Sequence, residues 1–392
     1  MSGDEKRRAL IIGGGFAGLA AAIALQRVGI EAVVFEQADA VRSIDAGLVM
    51  QITAMKALRK LGLLESMHAI VGRPIAALQL QRPDGKVLAT IPQSRLGHDL
   101  GTPAYVVHRG DLLDVLVEAA GRQTIRVNAR CVGFEHDLEG VTARFADGQE
   151  EHGGVLLGAD GIHSIVRKGL LGDTPLRYSG YTAWRAMPHF TGGGITPGIL
   201  QQASGAGQIF GIYPSDGRVY WFAGKKVPPG GQDPPRGRKR ELLDHFAHWH
   251  PPIAALIEAT AESAVLRHDV YDREPVERWG RGRVTLAGDA AHPTTPTLGQ
   301  GAGLAIEDAV VLAKELALIS SPTDGAEVDI ALRAYEGGRI PRTSAINRES
   351  WQISRSTMQD HPLWSRIGEL YLQMTPARLW RARADRDAAY EA

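Results

Sequence analysis

The stretch 9-ALIIGGGFAGLAAAIALQRVGIEAVVFE-36 decides how this chain folds. Its apolar run at 9–12 predicts a buried parallel strand, the Ala- and Leu-rich run at 19–28 predicts a helix, and the run at 32–35 predicts a second strand. A glycine-rich turn separates the first strand from the helix. The order of strand, turn, helix and strand predicts a Rossmann-like α/β unit.

Three glycines and one acid give this unit its chemistry. Gly13 allows the tight turn, Gly15 lets the backbone approach a pyrophosphate, and Gly18 lets helix and strand pack closely. The helix start offers unpaired N–H groups, which favour a phosphate. Glu36 follows the second strand, where its carboxylate can accept hydrogen bonds from both ribose hydroxyls. These features in register predict a dinucleotide site, whereas a bare GxGxxG would be a weak signal.

The composition limits the classes of function. The 392 residues carry 44 basic and 44 acidic side chains, so nucleic acid is not the expected partner. Cys131 is the single cysteine, which excludes an internal disulfide and a cysteine-rich metal site and favours a reducing compartment. No apolar run reaches the length of a membrane span. We expect a cytoplasmic globular protein, monomeric or homodimeric, with no metal and no integral membrane segment.

A second segment also has the composition of a ligand site. Gly288-Asp289 follows a predicted strand at 283–287 and would place a carboxylate at the carboxyl edge of a sheet, where open α/β sheets bind ligands. The turn Gly299-Gln300-Gly301 then exposes backbone N–H groups at the start of a predicted helix at 302–319. A ligand with phosphates and ribose at one end and a second polyol and a ring at the other would account for both sites. FAD has that form.

The third segment is Gly158-Ala-Asp160-Gly161, followed by Ser164 and Arg167. Alone it is compatible with an ordinary turn and a helix cap. In company with the other two it is distinctive, and the chain resembles the single-component flavoprotein monooxygenases, the family of para-hydroxybenzoate and salicylate hydroxylases. The resemblance covers residues 9–319. Asp160-Gly161 is similar to the short family motif linked to both FAD and the pyridine nucleotide.

The resemblance implies a role for each motif. The first glycine turn and Glu36 would hold the ADP half of FAD, and Asp289 would hold the ribityl chain and the pyrophosphate region. Arg109 matches an arginine that packs near the flavin, and Arg42 would be a further phosphate partner. Pro296 would lie near the reacting edge of the flavin and is the predicted catalytic residue. The predicted cofactor-binding residues are Gly13, Gly15, Phe16, Ala17, Gly18, Glu36, Gln37, Arg42, Arg109, Asp160, Asp289, Pro296, Gly299, Gln300, Gly301 and Ala302.

The same resemblance implies hydroxylation of an aromatic or other electron-rich ring with O2 and NAD(P)H, through a flavin C4a-hydroperoxide. The chain has one GxGxxG and no second unit of that kind, so NAD(P)H would be a transient electron donor docking in the cleft between domains, near Arg167 and Arg185. Alternate residues of the central sheet would contact the substrate, and the alternative is that they form the core of the second domain. The predicted substrate residues are Phe210, Ile212, Tyr213, Tyr220 and Phe222.

Other functions remain as alternatives to this activity. A flavin-dependent halogenase is suggested by Trp184-Arg-Ala186-Met-Pro188, but Ala186 stands where that class has a second tryptophan. Trp184 is therefore expected in the core or in a pocket wall. Another FAD oxidoreductase activity, or a non-catalytic flavin-binding protein, would keep the same fold. The intact segments at 288–289 and 299–301 favour an enzyme over a non-catalytic protein, because the ring end of the cofactor site is kept as well.

The predicted fold is α/β with a discontinuous Rossmann-like FAD-binding domain, a mixed β-sheet substrate domain and C-terminal helices. The domains are predicted at 1–72, 103–175 and 278–330 for FAD, at 73–102 and 176–277 for substrate, and at 331–392 for the helical segment. A predicted helix at 363–374 carries one apolar stripe formed by Leu363, Ile367, Leu370, Tyr371 and Met374. The arginines of 378–386 have acids among or just after them and predict a solvated helix face rather than a membrane or RNA anchor.

Overall fold

A computed structural model of the chain describes residues 8–42, 46–137, 139–320 and 324–392. The first seven residues of the predicted FAD-binding domain lie outside the described residues. The strands are β1 (Arg8–Ile12), β2 (Glu31–Phe35), β3 (Gly47–Met50), β4 (Ala77–Gln81), β5 (Val87–Pro92), β6 (Tyr105–His108), β7 (Ile125–Arg126), β8 (Cys131–His136), β9 (Val141–Phe145), β10 (Glu150–Gly153), β11 (Val155–Gly158), β12 (Arg177–Ala186), β13 (Ile199–Gly205), β14 (Gln208–Ser215), β15 (Arg218–Lys226), β16 (Leu266–Asp272) and β17 (Val284–Leu286).

Helices connect and cover these strands. The α-helices are α1 (Phe16–Arg27), α2 (Ile52–Lys60), α3 (Leu64–His68), α4 (Arg95–Asp99), α5 (Arg109–Ala120), α6 (Ile165–Leu171), α7 (Arg238–Phe246), α8 (Ile253–Ala259), α9 (Gly301–Leu316), α10 (Gly325–Thr357), α11 (Pro362–Met374) and α12 (Ala377–Ala388). No helix in the described ranges combines the length and the apolar character that a bilayer crossing needs.

A parallel sheet with the order β17-β11-β1-β2-β7 forms the first half of the molecule. Its centre is the stretch that the glycine pattern predicts, since β1 pairs with β2 on one side and with β11 on the other. Helix α1 packs against α9, and its residues 16–25 are all buried. Alanine at five of its twelve positions lets these neighbours approach closely, which explains a helix that is apolar all round.

A mixed sheet with the order β16-β12-β15-β14-β13-β4-β5 forms the second half. Its neighbours are antiparallel except for β13 and β4, which run parallel. All seven strands fall within 73–102 and 176–277. Two of them, β13 and β16, are not predicted by the sequence. A small antiparallel sheet (β10-β9-β8) and the pair β3-β6 complete the strands in the described ranges.

The two faces of the mixed sheet have different neighbours. Trp184, Phe210 and Trp221 lie on one face and form a buried cluster with Phe246 of α7 and other side chains of α7 and α8. Tyr213 and its neighbours lie on the opposite face, against β3 and β6. We call this second face the inner face. Trp184 is thus a core residue, one of the two positions expected for it.

This arrangement corrects the predicted substrate set. Phe210 and Ile212 alternate with Tyr213 along β14, so their side chains point away from the inner face. Both are 1% exposed and pack in the cluster with α7 and α8. The prediction that they contact substrate is wrong, and the alternative reading as core holds for them. Tyr213, Tyr220 and Phe222 lie on the inner face and remain candidates.

The C-terminal helices lie on the outside of both halves. Helix α10 packs along α9, α11 contacts β5, and α12 contacts α2, α4 and β5. Lys56 of α2 holds the chain end, because its Nζ donates to the carbonyl of Ala388 at 2.9 Å and pairs with Glu391 at 2.6 Å. The apolar stripe predicted on α11 points outward into solvent.

Candidate functional site

The first glycine turn has the geometry that a dinucleotide requires. Gly13 has φ +110°, and a Cβ there would lie 2.4 Å from the carbonyl oxygen of Ala159. A Cβ on Gly18 would lie 1.9 Å from the Gly13 oxygen, so helix and turn pack in direct contact. A Cβ on Gly15 would meet nothing within 4 Å, so this part of the turn is open. Two glycines therefore close the turn, and the third leaves room beside it for a ligand.

The start of α1 is free for an anion. Gly15 occupies the N-cap position, no side chain caps the helix, and its first turn carries no acid. Four backbone N–H groups at a helix start have no partner within the helix, and the helix dipole adds positive potential there. Phe16 and Ala17, both in the predicted set, form this first turn and are buried.

Glu36 stands directly after β2, as predicted, and its carboxylate is held by the backbone. Oε2 accepts from the Gly14 N–H at 2.8 Å and Oε1 from the Ala38 N–H at 2.9 Å. Each carboxylate oxygen can accept a further hydrogen bond. Glu36 thus fixes the glycine turn against the end of β2 and keeps capacity for a ligand hydroxyl. Its neighbour Gln37 is exposed, and Arg42 is an exposed side chain paired with Asp39 at 2.9 Å.

Asp289 lies between the starts of two helices. It belongs to a 3-10 turn, Gly288–Ala290, where a Cβ on Gly288 would lie 2.8 Å from Ala17 of α1 and 3.4 Å from Ala305 of α9. Asp289 is exposed to solvent, and none of the hydrogen bonds found among the described residues ends on its carboxylate. Burial by the surrounding protein raises its pKa, against the opposing charges of His292 and Arg109. An unpartnered carboxylate at this position can accept hydrogen bonds from a polyol.

The start of α9 is the second free helix end. The turn Pro296–Leu298 leads into Gly299, which is left-handed at φ +61°, and Gln300 at the N-cap position contributes no capping side chain. The first turn of α9 holds Gly301 and Ala302 and contains no acid. Pro296 is exposed beside it. The predicted residues of this segment thus surround an open helix start with unpaired N–H groups.

A buried ion network behind Asp289 fixes the turn. Asp308 accepts from the Gly288 N–H at 2.8 Å, from His292 at 2.6 Å and from Arg339 at 2.7 Å. Burial alone would raise the pKa of Asp308, but His292 and Arg339 lower it below its usual value. Arg339 also donates to Glu307 at 2.9 Å. The network holds Gly288 in place between α1 and α9.

Sequence reasoning missed the contribution of α10 to this network. Arg339 comes from α10, and two further α10 side chains hold the loop before Pro296. Asn347 donates to the Pro293 carbonyl at 2.7 Å, and Ser350 donates to the Thr295 carbonyl at 2.8 Å. The acid pair Glu307-Asp308, with apolar residues on both sides in α9, was the available signal, because buried acids require basic partners.

Asp160 caps a helix in this structure. Its carboxylate accepts from the Ser164 hydroxyl and from the Ile165 N–H at 2.7 Å, at the start of α6. Burial raises its pKa against these hydrogen bonds. The backbone at Ala159–Asp160 contacts Gly13, so the segment supports the glycine turn. This matches the ordinary helix-cap reading, and a direct contact of Asp160 with a cofactor stays a prediction.

Arg167 is not available at a surface for NAD(P)H. It is 2% exposed, and its Nη1 donates to the carbonyls of Ala290 at 3.0 Å and Ala291 at 2.8 Å. Burial and the charge of Arg273 lower its pKa to about 10. Arg167 thus ties α6 to the Gly288–Ala290 turn, and the expectation that it helps to dock NAD(P)H is wrong.

Arg109 joins the two halves of the site. Its guanidinium lies 4.7 Å from the ring centre of Phe16, at the start of α1. Burial lowers its pKa, the charge of Arg185 lowers it further, and Asp289 and Tyr220 oppose both. Arg109 therefore has α1, the Asp289 turn and the inner face of the mixed sheet as neighbours. The structure brings together four predicted residues here: Phe16, Arg109, Asp289 and Tyr220.

The inner face carries an aromatic cluster. The ring of Tyr213 stands edge-on to Tyr220 at 6.0 Å and to Phe222 at 5.3 Å. Tyr220 packs against β3, because a Cβ on Gly47 would lie 2.3 Å from its ring. Burial raises the pKa of Tyr220, while the charge and hydrogen bonding of Arg185 lower it. The three rings thus form an apolar wall next to Arg109.

Two polar residues beside this wall were not predicted as substrate contacts, although Arg185 was expected near the docking position of NAD(P)H. Arg185 of β12 pairs with Phe222 across the sheet, and its Nε is buried without a partner among the described residues. His268 of β16 has its pKa lowered to about 4, chiefly by burial and then by the charge of Arg185. It is therefore neutral near pH 7. A half-buried cation that lacks part of its hydrogen bonding beside an aromatic wall can donate to a ligand.

The site fits FAD, a dinucleotide that carries a polyol and a second ring. It offers two open helix starts, free space at Gly15 and the unpartnered carboxylate of Asp289. Each residue supplies a donor or acceptor where no protein partner takes it up. A separate cavity of about 810 Å³, lined by Phe134, His136, Lys168 and Arg281 among others, includes none of the predicted site residues.

Comparison with known proteins gives a family and named relatives. Residues 6–350 match the family described as "FAD binding domain". Aurachin C monooxygenase/isomerase of Stigmatella aurantiaca is 38% identical over 382 residues, which is 97% of each chain. 3-Amino-4-hydroxybenzoate 2-monooxygenase of Streptomyces platensis is 37% identical, covering 88% of this chain and 87% of its own. The chloroplastic zeaxanthin epoxidase of Nicotiana plumbaginifolia is 37% identical, and the chain spans 54% of that longer relative.

A solved structure has the same fold over nearly the whole chain. HpxO of Klebsiella pneumoniae, in complex with FAD and uric acid, superposes with a TM-score of 0.89 at 29% identity, covering 96% of each chain. A salicylate hydroxylase substrate complex shares the fold with a TM-score of 0.80 at 22% identity, over 98% of this chain and 95% of its own.

Proposed function

The chain belongs to the single-component FAD-dependent monooxygenases, and from that premise we propose that it hydroxylates a planar, electron-rich ring bearing an anionic or strongly accepting oxygen. A halogenase is not favoured by its relatives. The observation that carries the substrate class is Arg185, a half-buried cation whose buried Nε has no partner among the described residues, beside an aromatic wall. One relative is named for the ring compound 3-amino-4-hydroxybenzoate, and the HpxO complex holds uric acid.

Bound FAD supplies the redox chemistry, taking electrons from NAD(P)H and activating O2 to deliver one oxygen atom to the ring. The residues of this chain bind and orient it. The N–H groups at the start of α1 would hold its phosphates, and Glu36 would hold its adenosine ribose. Asp289 would accept from its ribityl hydroxyls, and the N–H groups of the α9 start would favour negative charge on its ring end. Pro296 would stand at the reacting edge.

We assign the substrate to the inner face. Arg185 would donate to an anionic or accepting oxygen of the substrate, since a charged hydrogen bond is about twice as strong as a neutral one. Tyr220 borders Arg185 and would orient the same oxygen. Tyr213 and Phe222 would pack on the ring and exclude water, which protects reactive oxygen from side reactions. His268 is neutral and would not repel a cationic substituent.

A substrate screen tests the proposal. The purified holoenzyme is incubated with NADH or NADPH and a panel of ring compounds that carry phenolate, carboxylate, amide or no polar substituent. We expect stimulated NAD(P)H oxidation and a product with one added oxygen atom for members with an anionic or accepting oxygen. NMR of the product distinguishes a ring hydroxyl from an epoxide. Preference for rings without a polar substituent, retained in Arg185→Gln, would overturn the assignment of Arg185.

We also propose the domain division given by the sequence. Every strand of the parallel sheet falls in 1–72, 103–175 or 278–330. Every strand of the mixed sheet falls in 73–102 or 176–277. This separation of the two sheets supports the proposed division. The segment at 331–392 would close the site through α10. Limited proteolysis of the apo and FAD-loaded protein tests this, because cleavage between the two sets of ranges should become slower with FAD.

The remaining partners are proposals of the same kind. NAD(P)H would dock transiently in the opening beside Arg185 and Arg109, without a domain of its own. The balance of 44 basic and 44 acidic residues supports small molecules rather than nucleic acid as partners, and the protein would be a monomer or homodimer. The single cysteine, Cys131, is buried and supports a cytoplasmic location. Cell fractionation and light scattering test location and oligomeric state.

A further inference from the structure

Helix α11 presents its apolar side chains to solvent. Leu363, Trp364, Ile367, Leu370, Tyr371 and Met374 are between 47% and 71% exposed, and we call these six residues the α11 face. The residues of α11 that turn toward the protein are half-buried and mostly polar: Ser365, Glu369 and Leu372. Glu369 pairs with Arg82 at 3.8 Å. This is the reverse of an ordinary surface helix, whose apolar side packs on the core.

The shape of the α11 face decides between its possible partners. With 3.6 residues per turn, the six side chains cover about 120° of the helix circumference. A two-helix seam uses a narrower stripe, with opposite charges at its edges for the partner helix. Here Arg366 lies at one edge and the aromatic residues Trp364 and Tyr371 lie at the other, with no acid at either edge. Both the width and the edge residues disfavour a second copy of α11.

The charge around the α11 face is positive. The stretch 361–388, which holds α11 and α12, contains five arginines and three acids. Arg366 of α11 and Arg378 and Arg381 of α12 are exposed, and they form no ion pair with a described residue. Arg378 follows Met374 by four residues, so it lies within about 15 Å of the end of the α11 face. These unpaired cations complement an anionic surface.

We propose that the α11 face binds the surface of a lipid bilayer that carries anionic head groups, in place of the solvated face that the sequence alone predicts for the arginines of 378–386. Thirteen residues cannot cross a bilayer, so α11 lies in the plane of the interface with its apolar side in the acyl region. Trp364 and Tyr371 sit at the depth that tryptophan and tyrosine favour, and the arginines contact the head groups. The proposal needs no property of the FAD site, so it stands or falls separately from the proposed function.

Vesicle flotation of the full-length holoenzyme tests it. The probes are vesicles of phosphatidylcholine alone and of phosphatidylcholine mixed with phosphatidylglycerol, each at low and high NaCl. We expect flotation with the anionic vesicles, less with the neutral ones, and weakening by salt because the charges are screened. The variant Leu370→Ser/Tyr371→Ser should lower partitioning by about tenfold or more. Arg378→Glu/Arg381→Glu should remove the preference for anionic vesicles.

Leu318→Ser is the matched control, because Leu318 is 74% exposed and lies outside the α11 face. It should float like the wild type. Melting temperature and FAD absorbance confirm that each variant is folded. Absence of flotation in the wild type, or equal flotation of Leu370→Ser/Tyr371→Ser, would overturn the proposal. So would a dimer by light scattering that Leu370→Ser/Tyr371→Ser converts to monomer, because the α11 face would then belong to a second copy.

Discussion

Single residues in the site are recognisable by what they lack. Arg185 has an unpartnered nitrogen, Asp289 has an unpartnered carboxylate, and Gly15 has open space where a side chain would stand. Buried polar groups normally find partners, so the Arg185 Nε is a candidate ligand contact, and the solvent-reached carboxylate of Asp289 is free to accept from one. Glu36 and Asp160 are different, since both already serve the backbone of the fold. Their motifs are required for structure whether or not they also contact the cofactor.

Asp289→Ala should weaken FAD binding. Loss of a hydrogen bond to a charged acceptor costs about 1.5–3 kcal/mol, so the dissociation constant should rise by roughly tenfold or more. The apoprotein should keep its melting temperature, since Asp289 accepts no hydrogen bond within the described protein. Fluorescence titration of apoprotein with FAD measures the effect. Asp114→Ala, at an exposed aspartate of α5, is the control, and equal affinities in both variants would contradict the role of Asp289.

His268 should make stability fall in acid. Its folded pKa is about 4 against 6.5 for a free histidine, so above pH 6.5 both states are neutral and it has no effect. Between pH 6.5 and about 4 the unfolded chain takes up a proton that the folded chain does not, and stability is lost. Allowing for partial exposure, the loss between pH 7 and pH 5 should be about 1–2 kcal/mol. Urea unfolding of wild type and His268→Gln measures it.

The two proteins are compared by how steeply the free energy of unfolding changes with pH, and not by its absolute value. His136 and His245 also have lowered pKa values and contribute to the wild-type slope in the same direction. The His268→Gln variant should retain their part and lose the part due to His268. Parallel slopes in the two proteins would show that His268 takes up its proton equally in the folded and unfolded states, contrary to its half-buried position beside Arg185.

At the scale of elements, the two faces of β14 and β15 should respond differently to mutation. Phe210→Ala should lower the free energy of unfolding by about 3–5 kcal/mol, because it empties a packed site between the sheet, α7 and α8. Tyr220→Phe should cost far less stability but raise KM or increase uncoupled NAD(P)H oxidation, because it removes the hydroxyl next to Arg185. Chemical denaturation and steady-state kinetics with product quantification separate the two effects. A Phe210 variant with native stability and altered KM would reverse this assignment of faces.

Elements with a strong local pattern are the ones that the sequence predicts. The run at 9–36 yields β1, α1 and β2 because apolar periodicity, glycines and the terminal acid agree. β13 (Ile199–Gly205) and β16 (Leu266–Asp272) were missed because polar residues interrupt both segments, so no alternation of apolar and polar residues is visible. Gly303 is a second case in which the local sequence does not show what the structure requires. A Cβ there would lie 2.9 Å from Ala54 Cβ, a requirement set by α2, which is distant in sequence.

The site was predictable only in part, because some of its residues come together only in the folded chain. Residues that act through the backbone, such as Gly13 and Gly301, follow from short motifs. Arg185, His268 and the α10 side chains act through neighbours that the chain brings together only after both sheets are formed. The split of the predicted substrate residues between two faces follows from strand alternation, but which face is inner depends on the packing of α7 and α8.

At the scale of the whole molecule, we expect the electron donor to approach from the side of the proposed substrate position. The sequence has one GxGxxG, and Arg167 is buried against backbone carbonyls, so we expect NAD(P)H to meet Arg109 and Arg185 instead. Since Arg185 borders the proposed substrate position, substrate and NAD(P)H should influence each other. Flavin reduction should be slow without substrate and at least about tenfold faster when substrate is bound, a gating typical of conformational control. Stopped-flow absorbance of flavin reduction by NADH and NADPH, with and without substrate, measures the ratio of the two rates.

The variant Arg185→Gln should lower this ratio. Arg281→Gln changes an exposed arginine beside the separate cavity and should leave the ratio unchanged. Equal reduction rates with and without substrate would contradict the gating. Tight binding of NAD(P)H to the apoprotein would contradict the absence of a second nucleotide site.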